Sequence, residues 1–212
     1  MLFDNIPVIY INLNERTDRN EHMKKELNKI GVTNAIRFPG VKLDNGALGC
    51  SMSHLKCVEL AKKNNYDQVF ICEDDIEFLG PTLFLNQLQT FLDSNINWDV
   101  IIVSGNNMIP YVPVSDCCIK VMNCQTTTGY IVRKEYYDKL YNNFKTGIQK
   151  LMSDPSNNSY KIDKYWFSLQ RQDNWYLIIP LSVVQKEDYS DIEKKVTNFK
   201  KYMLDYNKAY KK

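Results

Sequence analysis

Short apolar runs alternate with amphipathic segments along the first hundred residues of the chain. The runs are rich in β-branched and aromatic side chains, which is typical of buried strands, and they cover residues 6–13, 35–38, 69–72 and 99–103. Between the first two runs, apolar residues recur at helical spacing. This segment predicts a helix that begins at Thr17 or Asp18 and ends at Gly31.

Two more helices are predicted between the later runs. Ser51 or Ser53 can cap the first of them, which would continue towards Asn65, and the second covers about residues 82–91. The resulting β-α-β-α-β order has connections of only a few residues, so it predicts an α/β domain with a central, mostly parallel sheet flanked by helices. Open sheets of this kind bind ligands at the carboxyl ends of their strands.

The second half of the chain has a weaker pattern. Residues 106–116 contain two prolines and are predicted to form a loop. Short strands follow at 119–122 and 130–132, the second of them antiparallel, and then a helix at 134–144, a helical segment near 163–169 and a strand at 176–179. Beyond Ser190, apolar spacings of four and three predict an amphipathic C-terminal helix. Its apolar stripe would pack on the protein's own core or on a second copy in a homo-oligomer.

Composition and charge narrow the class of protein. A chain of 212 residues with 44% apolar and 25% charged side chains can bury the core of one globular domain. The 27 basic and 25 acidic residues leave a net charge of +2, so no strong field attracts a nucleic acid. The apolar runs are far shorter than the ~20 residues of a membrane-spanning helix. Residues 1–7 lack the pattern of a signal peptide, and we therefore expect a cytoplasmic protein.

The cysteines are expected to be free thiols. None of them shows C-x-x-C spacing, and three lie within apolar stretches. The six residues are Cys50, Cys57, Cys72, Cys117, Cys118 and Cys124. A disulfide or zinc framework is the alternative. Because the chain contains only His22 and His54, a histidine-based zinc site is not expected.

Three consecutive acids, Glu73, Asp74 and Asp75, follow the buried run at 69–72. Carboxylates at the end of a buried strand lie where α/β folds bind ligands, and strand alternation would direct Glu73 and Asp75 to one side. Mg²⁺ and Mn²⁺ prefer carboxylate oxygens, and a diphosphate can complete their coordination. A solvated turn is the alternative interpretation.

Two further segments offer groups that bind anions. Arg16 and Arg19 are two of only five arginines, and both follow the first strand, where they could hold a phosphate or a nucleobase. Gly49 permits close backbone approach near the start of the next helix, whose free N–H groups suit an anion. His54 lies on the first turn of that helix and is either structural or catalytic. For the arginines, a solvated helix turn is the alternative.

In chain order, these segments resemble glycosyltransferase family 25, which includes bacterial lipooligosaccharide and animal procollagen galactosyltransferases. The segment from Asn12 to Arg19 is similar to the N-terminal motif of the family, and residues 46–55 and 71–78 are similar to its second block and its acidic block. Later similarities lie at 98–101, 127–130, 162–163 and 180–181. Residues 190–193 resemble the closing motif of the procollagen enzymes, but Ser190 with Glu193 is also typical of a helix capping box.

The resemblance implies a GT-A-like fold, a UDP-galactose or UDP-glucose donor, and Mn²⁺ or another divalent cation such as Mg²⁺. It also implies transfer of the hexose to a hydroxyl group with inversion. Residues 1–105 would form the nucleotide-sugar-binding half, residues 106–189 the acceptor-side half and residues 190–212 the C-terminal helix. The acceptor stays open between a lipopolysaccharide-like glycan, a viral or collagen-like protein with hydroxylysine, and a small carrier.

The matching motifs also imply roles for individual residues. The donor-binding residues would be Asn12, Arg16, Arg19, Gly49, Ser53, His54 and Asp74. Asp75 and Glu73 would bind the metal ion. Asp163 would be the general base, with Asp74 as a further catalytic residue, and a helix cap is the alternative for Asp163. Asp173, Glu187 and Asp188 also lie in the acceptor-side half and are the alternatives for the base. The acceptor-side residues would be Tyr130, Trp166 and Asp191.

Two other classes of function use the same features. A metal-dependent nuclease or phosphohydrolase also builds its site from carboxylates, although the missing basic stripe disfavours a nucleic-acid substrate. The other class is a non-catalytic module that binds nucleotide sugars. The sequence contains no Walker motif, dinucleotide fingerprint or serine nucleophile elbow, which disfavours P-loop, Rossmann and hydrolase functions.

Overall fold

An eight-stranded sheet forms the centre of the protein in the computed structural model, which describes residues 2–190 and 194–209. The strands in chain order are β1 (Val8–Asn12), β2 (Ile36–Pro39), β3 (Gln68–Glu73), β4 (Ile76–Phe78), β5 (Val100–Asn107), β6 (Tyr111–Ser115), β7 (Cys118–Val121), β8 (Cys124–Arg133), β9 (Trp175–Ile178), β10 (Val183–Gln185), β11 (Asp188–Ser190) and β12 (Lys195–Thr197). The central sheet has the order β2-β1-β3-β8-β5-β9-β7-β6.

Most strands of the central sheet run in one direction. Strands β1, β2 and β3 pair in parallel, and so do β5 and β9. Strand β8 is antiparallel to β3 and β5, and β7 is antiparallel to β6 and β9. Six of the eight strands therefore share a direction, and the prediction of a mostly parallel α/β sheet with an antiparallel strand at 130–132 is confirmed.

Helices cover both faces of this sheet. In chain order they are α1 (Thr17–Lys29), α2 (Gly46–Lys63), α3 (Pro81–Leu92), α4 (Tyr137–Ser153), α5 (Ile162–Tyr165), α6 (Phe167–Gln172) and α7 (Lys200–Leu204). In β3, Val69 and Ile71 pack in the apolar cluster that includes residues of α2 and α4, whereas Phe70 and Cys72 pack in the cluster that includes residues of α1 and α3. Burial on both faces explains why this strand is an uninterrupted apolar run.

Helix α2 begins at Gly46, which lies before both of its predicted caps, Ser51 and Ser53. Its N-cap is Asn45, whose side chain accepts a hydrogen bond from Leu48 N–H at 3.1 Å. Ser51 and Ser53 lie inside the helix and donate to carbonyls four residues back, each at 2.8 Å. A serine hydroxyl can form a hydrogen bond at a helix cap and also inside a helix, so the presence of serine did not identify where the helix begins.

Part of the predicted loop at 106–116 is extended. Strand β5 continues to Asn107, and β6 follows at the edge of the sheet with Pro113 opposite Ile119 of β7. Proline is tolerated in an edge strand because the missing N–H costs no ladder bond on the open side. Pro113 therefore lies in an edge strand, whereas Pro110 lies in the connection between β5 and β6.

The C-terminal segment also differs from its prediction. A hairpin of β11 and β12 replaces the start of the expected 190–212 helix, and α7 covers only five residues. Lys194 has a left-handed φ of 55°, which interrupts any helix there, and the Asn198 side chain accepts from Lys200 N–H where α7 begins. Of the residues in the predicted apolar stripe, Met203 is buried but Val196 is exposed, so the apolar spacing does not describe one helical face.

Two smaller expectations concern thiols and membranes. All six cysteines are free, and five of them are buried, which confirms the prediction of free thiols. Among the helices in the described part of the chain, none combines the length and the apolar character that crossing a bilayer requires.

Candidate functional site

The predicted acids and arginines meet at the carboxyl ends of β1 and β3. Asn12 ends β1 and donates to Asp74 Oδ2 at 2.7 Å. Arg19, in the first half of α1, donates to Asp74 Oδ1 at 2.8 Å. The chain turns immediately after Glu73, so strand alternation does not continue and all three acids line the same cleft. Burial raises the pKa of Asp74, although Arg19 and Asn12 oppose that shift.

Asp75 is the most deeply placed carboxylate of the three. Its Oδ2 accepts from Gln185 Nε2 at 2.9 Å and lies 3.3 Å from Arg19 Nη1. Its Oδ1 is buried without a hydrogen-bond partner among the described residues. Burial, together with the negative charges of Glu73 and Asp74, raises the pKa of Asp75 to about 7. An unpartnered buried oxygen on such a group is suited to a cation or a proton.

Glu73 is contacted by His54 and Thr127 on the opposite side. His54 Nε2 lies 3.1 Å from Glu73 Oε1, and the Thr127 hydroxyl donates to the same oxygen. The other ring nitrogen of His54 lies 3.1 Å from the Tyr130 hydroxyl. Burial alone would raise the pKa of Glu73, but the hydrogen bonds from His54 and Thr127 outweigh it and lower the pKa. Glu73 is therefore ionised at neutral pH.

Both predicted arginines reach the site, and both contact acids there. Arg16 forms a two-point contact with Asp18, at 3.1 and 2.9 Å, and lies 3.4 Å from Asp188 Oδ2. Arg19 Nε lies 3.4 Å from the same Asp188 oxygen, and its Nη2 donates to Tyr189 O at 2.9 Å. The arginines thus connect α1 to β11 and compensate part of the negative charge of the acids.

The start of α2 contributes the opposite wall. The Ser53 hydroxyl accepts from Val41 N–H at 2.8 Å and so fixes the loop after β2. At Gly49, a Cβ atom would lie 2.4 Å from Val41 O, so the residue must be glycine for this loop to pack against the helix. The group that approaches Gly49 closely is therefore the backbone of the protein's own loop at Val41. Ser53 and His54 line the cleft, as predicted.

Two adjoining clefts open at this edge of the sheet. The first cleft includes Arg16, Arg19, Ser53, His54, Glu73, Asp74 and Asp75 in its lining. The second cleft includes Asn106, Thr126, Thr127 and Asp163. Cys50, Glu73, Gln185 and Ser190 line both clefts and form the boundary between them.

Asp163 lies in the second cleft and does not cap its helix. The N-cap of α5 is Lys161, and Asp163 Oδ2 instead accepts from Thr126 N–H at 3.5 Å. Thr126 has a φ of 71°, which is rare for a β-branched residue and typical of strain near functional sites. Burial raises the pKa of Asp163, because the Thr126 N–H and the lysines nearby compensate only part of the lost solvation.

Two of the predicted acceptor contacts are wrong. Tyr130 and Trp166 are fully buried, and their rings pack edge to face with centroids 5.8 Å apart. Trp166 donates to Cys124 O at 3.0 Å, and Tyr130 contacts His54, so both are supporting core residues. Large aromatic residues bury more apolar area in the core than a sugar could cover. The third predicted residue, Asp191, lies outside the described residues.

Other residues of the site were not predicted as such. Thr127 belongs to the motif at 127–130, so the resemblance offered a signal for it. Gln185 offered none, because it reaches the first cleft through the pairing of β10 with β4. Asp188 was an alternative for the base, but it contacts Arg16 and Arg19.

Comparison with known proteins tests the resemblance of this chain to glycosyltransferase family 25. The model of Glycosyltransferase family 25 (LPS biosynthesis protein) matches residues 34–124, which contain α2 and the three acids. Procollagen galactosyltransferase 1-B of Xenopus laevis is 29% identical over 178 residues, covering 67% of this chain and 28% of that protein. The resemblance to glycosyltransferase family 25 is thereby confirmed. The chain spans only about a quarter of the length of this family 25 relative.

Solved structures with similar backbones have low sequence identity. A glycosyltransferase involved in glycosylation of the major capsid of PBCV-1 has a TM-score of 0.47 and 12% identity, with 94% of this chain and 89% of that chain covered. A Drosophila β-1,4-galactosyltransferase 7 mutant in complex with manganese, UDP-Gal and xylobiose has a TM-score of 0.38 and 11% identity, with 97% and 76% covered. At these scores we base no inference on either structure.

Proposed function

We propose that this chain transfers a hexose from a UDP-sugar to a hydroxyl group, with inversion and with a divalent cation. The observation that carries the proposal is the pair of adjoining clefts, one containing the cluster of acids and arginines and the other containing Asp163. Glu73 forms part of the boundary between the clefts, so two substrates bound on its two sides would meet there. Similarity to family 25 supports the glycosyl-transfer class.

The first cleft suits a hard divalent cation such as Mn²⁺ or Mg²⁺. Asp75, with its buried unpartnered oxygen, and the ionised Glu73 would hold the ion. Carboxylate oxygens are the donor type that these cations prefer. The cation would stabilise the negative charge that develops on the departing nucleoside diphosphate.

The same cleft would bind the donor, UDP-galactose or UDP-glucose. Arg16 and Arg19 lie at its wall, and their guanidinium groups can bind phosphate oxygens. In the absence of donor these groups contact Asp74, Asp75 and Asp188. A diphosphate would compete with these carboxylates for the arginines. Asn12, Ser53 and His54 would fix the remaining polar groups of the site, with Asp74 held in place by Asn12 and Arg19.

In the second cleft, Asp163 would act as the general base. The acceptor hydroxyl would transfer its proton to the Asp163 carboxylate while its oxygen forms a bond to the anomeric carbon. The bond from that carbon to the diphosphate oxygen breaks, and UDP leaves with the electron pair. A base is most effective when its pKa lies near the working pH, and burial shifts the pKa of Asp163 in that direction.

The name of the matched relative supports a choice of acceptor to test. A glycan hydroxyl, or the hydroxylysine of a collagen-like protein, is the acceptor that we propose to test first. The relative's name refers to procollagen.

One assay separates this function from its alternatives. Release of UDP from UDP-galactose and UDP-glucose is measured with and without Mn²⁺ for the wild type, Asp75→Asn and the control Asp67→Asn, whose side chain is 95% exposed. We expect metal-dependent release by the wild type and the control, and a loss of about a hundredfold or more in Asp75→Asn. Cleavage of phosphate esters would indicate a phosphohydrolase, and donor binding without release would indicate a non-catalytic module. Either result would overturn the proposal.

A further inference from the structure

Three side chains of different chemistry converge at the boundary between the clefts. Cys50 Sγ lies 3.9 Å from Glu73 Oε1, and His54 Nε2 lies 3.1 Å from the same oxygen. The sulfur, nitrogen and oxygen atoms all lie within 4.8 Å of one another. Cys50 and His54 are four residues apart on α2, which places them on one face of the helix, and Glu73 is contributed by the end of β3.

We propose that Cys50, His54 and Glu73 form a binding site for a thiophilic divalent cation of the Zn²⁺ class. Zn²⁺ takes sulfur, imidazole nitrogen and carboxylate oxygen at about 2.0–2.3 Å, so tetrahedral ligands lie roughly 3.3–3.8 Å apart. The observed separations of 3.1 and 3.9 Å lie on either side of that range. The sulfur and the nitrogen lie within 4.8 Å of each other, so side-chain rotation would have to bring the three ligand atoms onto one ion.

The surrounding residues already orient two of the three ligands. The Tyr130 hydroxyl lies 3.1 Å from His54 Nδ1, and the Thr127 hydroxyl donates to Glu73. Histidines that bind metals hydrogen-bond through their other ring nitrogen, which fixes the tautomer and the ring orientation. Tyr130 is fully buried, so this contact is rigid.

Access and ligand number indicate an open site. Cys50 is the cysteine that is not fully buried, and it lines both clefts together with Glu73. Three protein ligands leave a fourth position for water or a bound molecule, as in catalytic zinc sites. On binding, the Cys50 thiol would release its proton to solvent, because the thiolate is the ligand.

This site differs in chemistry from the proposed Mn²⁺ site, although both use Glu73. Mn²⁺ prefers oxygen ligands, whereas a thiolate and an imidazole favour Zn²⁺ or Co²⁺. The expectation from sequence that a histidine-based zinc site is absent rested on the small number of histidines. Residues 50 and 73 are distant in the chain and are brought together by the packing of α2 beside β3.

The test uses Co²⁺ as a probe on metal-free protein. A cobalt–thiolate bond gives a charge-transfer band in the near ultraviolet, and Zn²⁺ should displace Co²⁺ and remove the band. We expect the band in the wild type and in the control Cys117→Ala, and no band in Cys50→Ala. Zn²⁺ affinity, measured by calorimetry, should fall about tenfold or more in Cys50→Ala and in Tyr130→Phe. Circular dichroism verifies that each variant is folded.

Two results would overturn this inference. One is the absence of the band in wild-type protein with excess Co²⁺, and the other is a band that survives in Cys50→Ala. Neither measurement involves a sugar donor. Failure of this inference is therefore distinguishable from failure of the proposed transfer reaction.

Discussion

The two clefts differ in the hydrogen-bond donors that contact their carboxylates. In the first cleft, Asp74 and Asp75 are contacted by Arg19, and Asn12 or Gln185 adds a further donor to each. In the second cleft, Asp163 accepts one long hydrogen bond from a backbone N–H. Shared donors hold several carboxylates close together in the first cleft, which suits an ion, although burial still raises the pKa of Asp74 and of Asp75. Asp163 stands apart from such a cluster, and its raised pKa suits proton transfer.

The largest expected effect is a loss of turnover that tests whether the two clefts have different roles. Asp163→Asn removes the proposed base, and we expect turnover of the UDP-sugar to fall by about 10²–10⁴-fold. Binding of UDP with Mn²⁺ should not change, because the proposed site for those ligands is the first cleft. Kinetics and calorimetry on the same preparation measure both quantities, with Asp154→Asn as an exposed control. A parallel loss of UDP affinity would contradict the assignment of Asp163 to the second cleft.

The next effect concerns stability. Arg19→Gln leaves Asp74 and Asp75 buried without their shared cation, and we expect the free energy of unfolding to fall by about 3 kcal/mol. Urea denaturation at neutral pH measures the loss. The matched control is Arg133→Gln, whose side chain is 40% exposed and whose ion pair should contribute about 1 kcal/mol or less. Equal losses in the two variants would indicate that charge compensation in the first cleft does not stabilise the fold.

A smaller effect is expected in the dependence of stability on pH. The pKa of Asp75 is about 7 in the folded protein and near 3.8 for an ordinary aspartate, so between these values the folded state holds a proton that the unfolded state has released. The contribution of Asp75 to stability is therefore full below about pH 4 and is lost as the pH rises towards 7. Asp75→Asn removes this dependence and should flatten the curve by up to about 1.4 kcal/mol per pH unit.

Urea denaturation at several pH values between about 4 and 7 measures the two slopes. Asp67→Asn again serves as the control, because its exposed carboxylate should leave the slope unchanged. Identical slopes for the wild type and Asp75→Asn would contradict the raised pKa.

The smallest effect tests the wall of the first cleft. In Gly49→Ala the new methyl group would lie 2.4 Å from Val41 O, so the loop after β2 must move. We expect a loss of about 1–3 kcal/mol in stability and weaker UDP binding. Denaturation and calorimetry measure both. Unchanged UDP affinity would indicate that the loop does not contribute to the donor site.

Central elements of the fold could be predicted from the sequence because their burial produces a pattern of apolar and polar residues within a short segment. Strand β3 is apolar on both faces and is followed immediately by polar acids, so both the strand and the position of its carboxyl end were predictable. Glu73, Asp74 and Asp75 were identified for the same reason. Gly31 has a left-handed φ of 74° just after α1. Glycine is the residue type that commonly adopts this conformation after a helix, so the end of α1 was also predictable.

Other features depend on contacts between distant segments. Gln185 reaches Asp75 because β10 pairs with β4, and no local pattern encodes that pairing. Tyr130 and Trp166 have side chains that suit a sugar equally well, and only their packing shows that they belong to the core. The apolar spacing after Ser190 predicted one long helix, but Lys194 and Asn198 divide the segment into a hairpin and a short helix.

The antiparallel direction of β8 has a consequence for attempts to change the specificity of this protein. Because β8 runs opposite to β3 and β5, its first residues lie where the neighbouring strands end, and Thr126 and Thr127 contact Asp163 and Glu73 on consecutive positions. A substitution that reshapes the second cleft at β8 would therefore also disturb the first. Lys161 and Lys164 line the second cleft without lining the first, and they flank the proposed base, so they are the positions at which to begin changing the proposed acceptor preference.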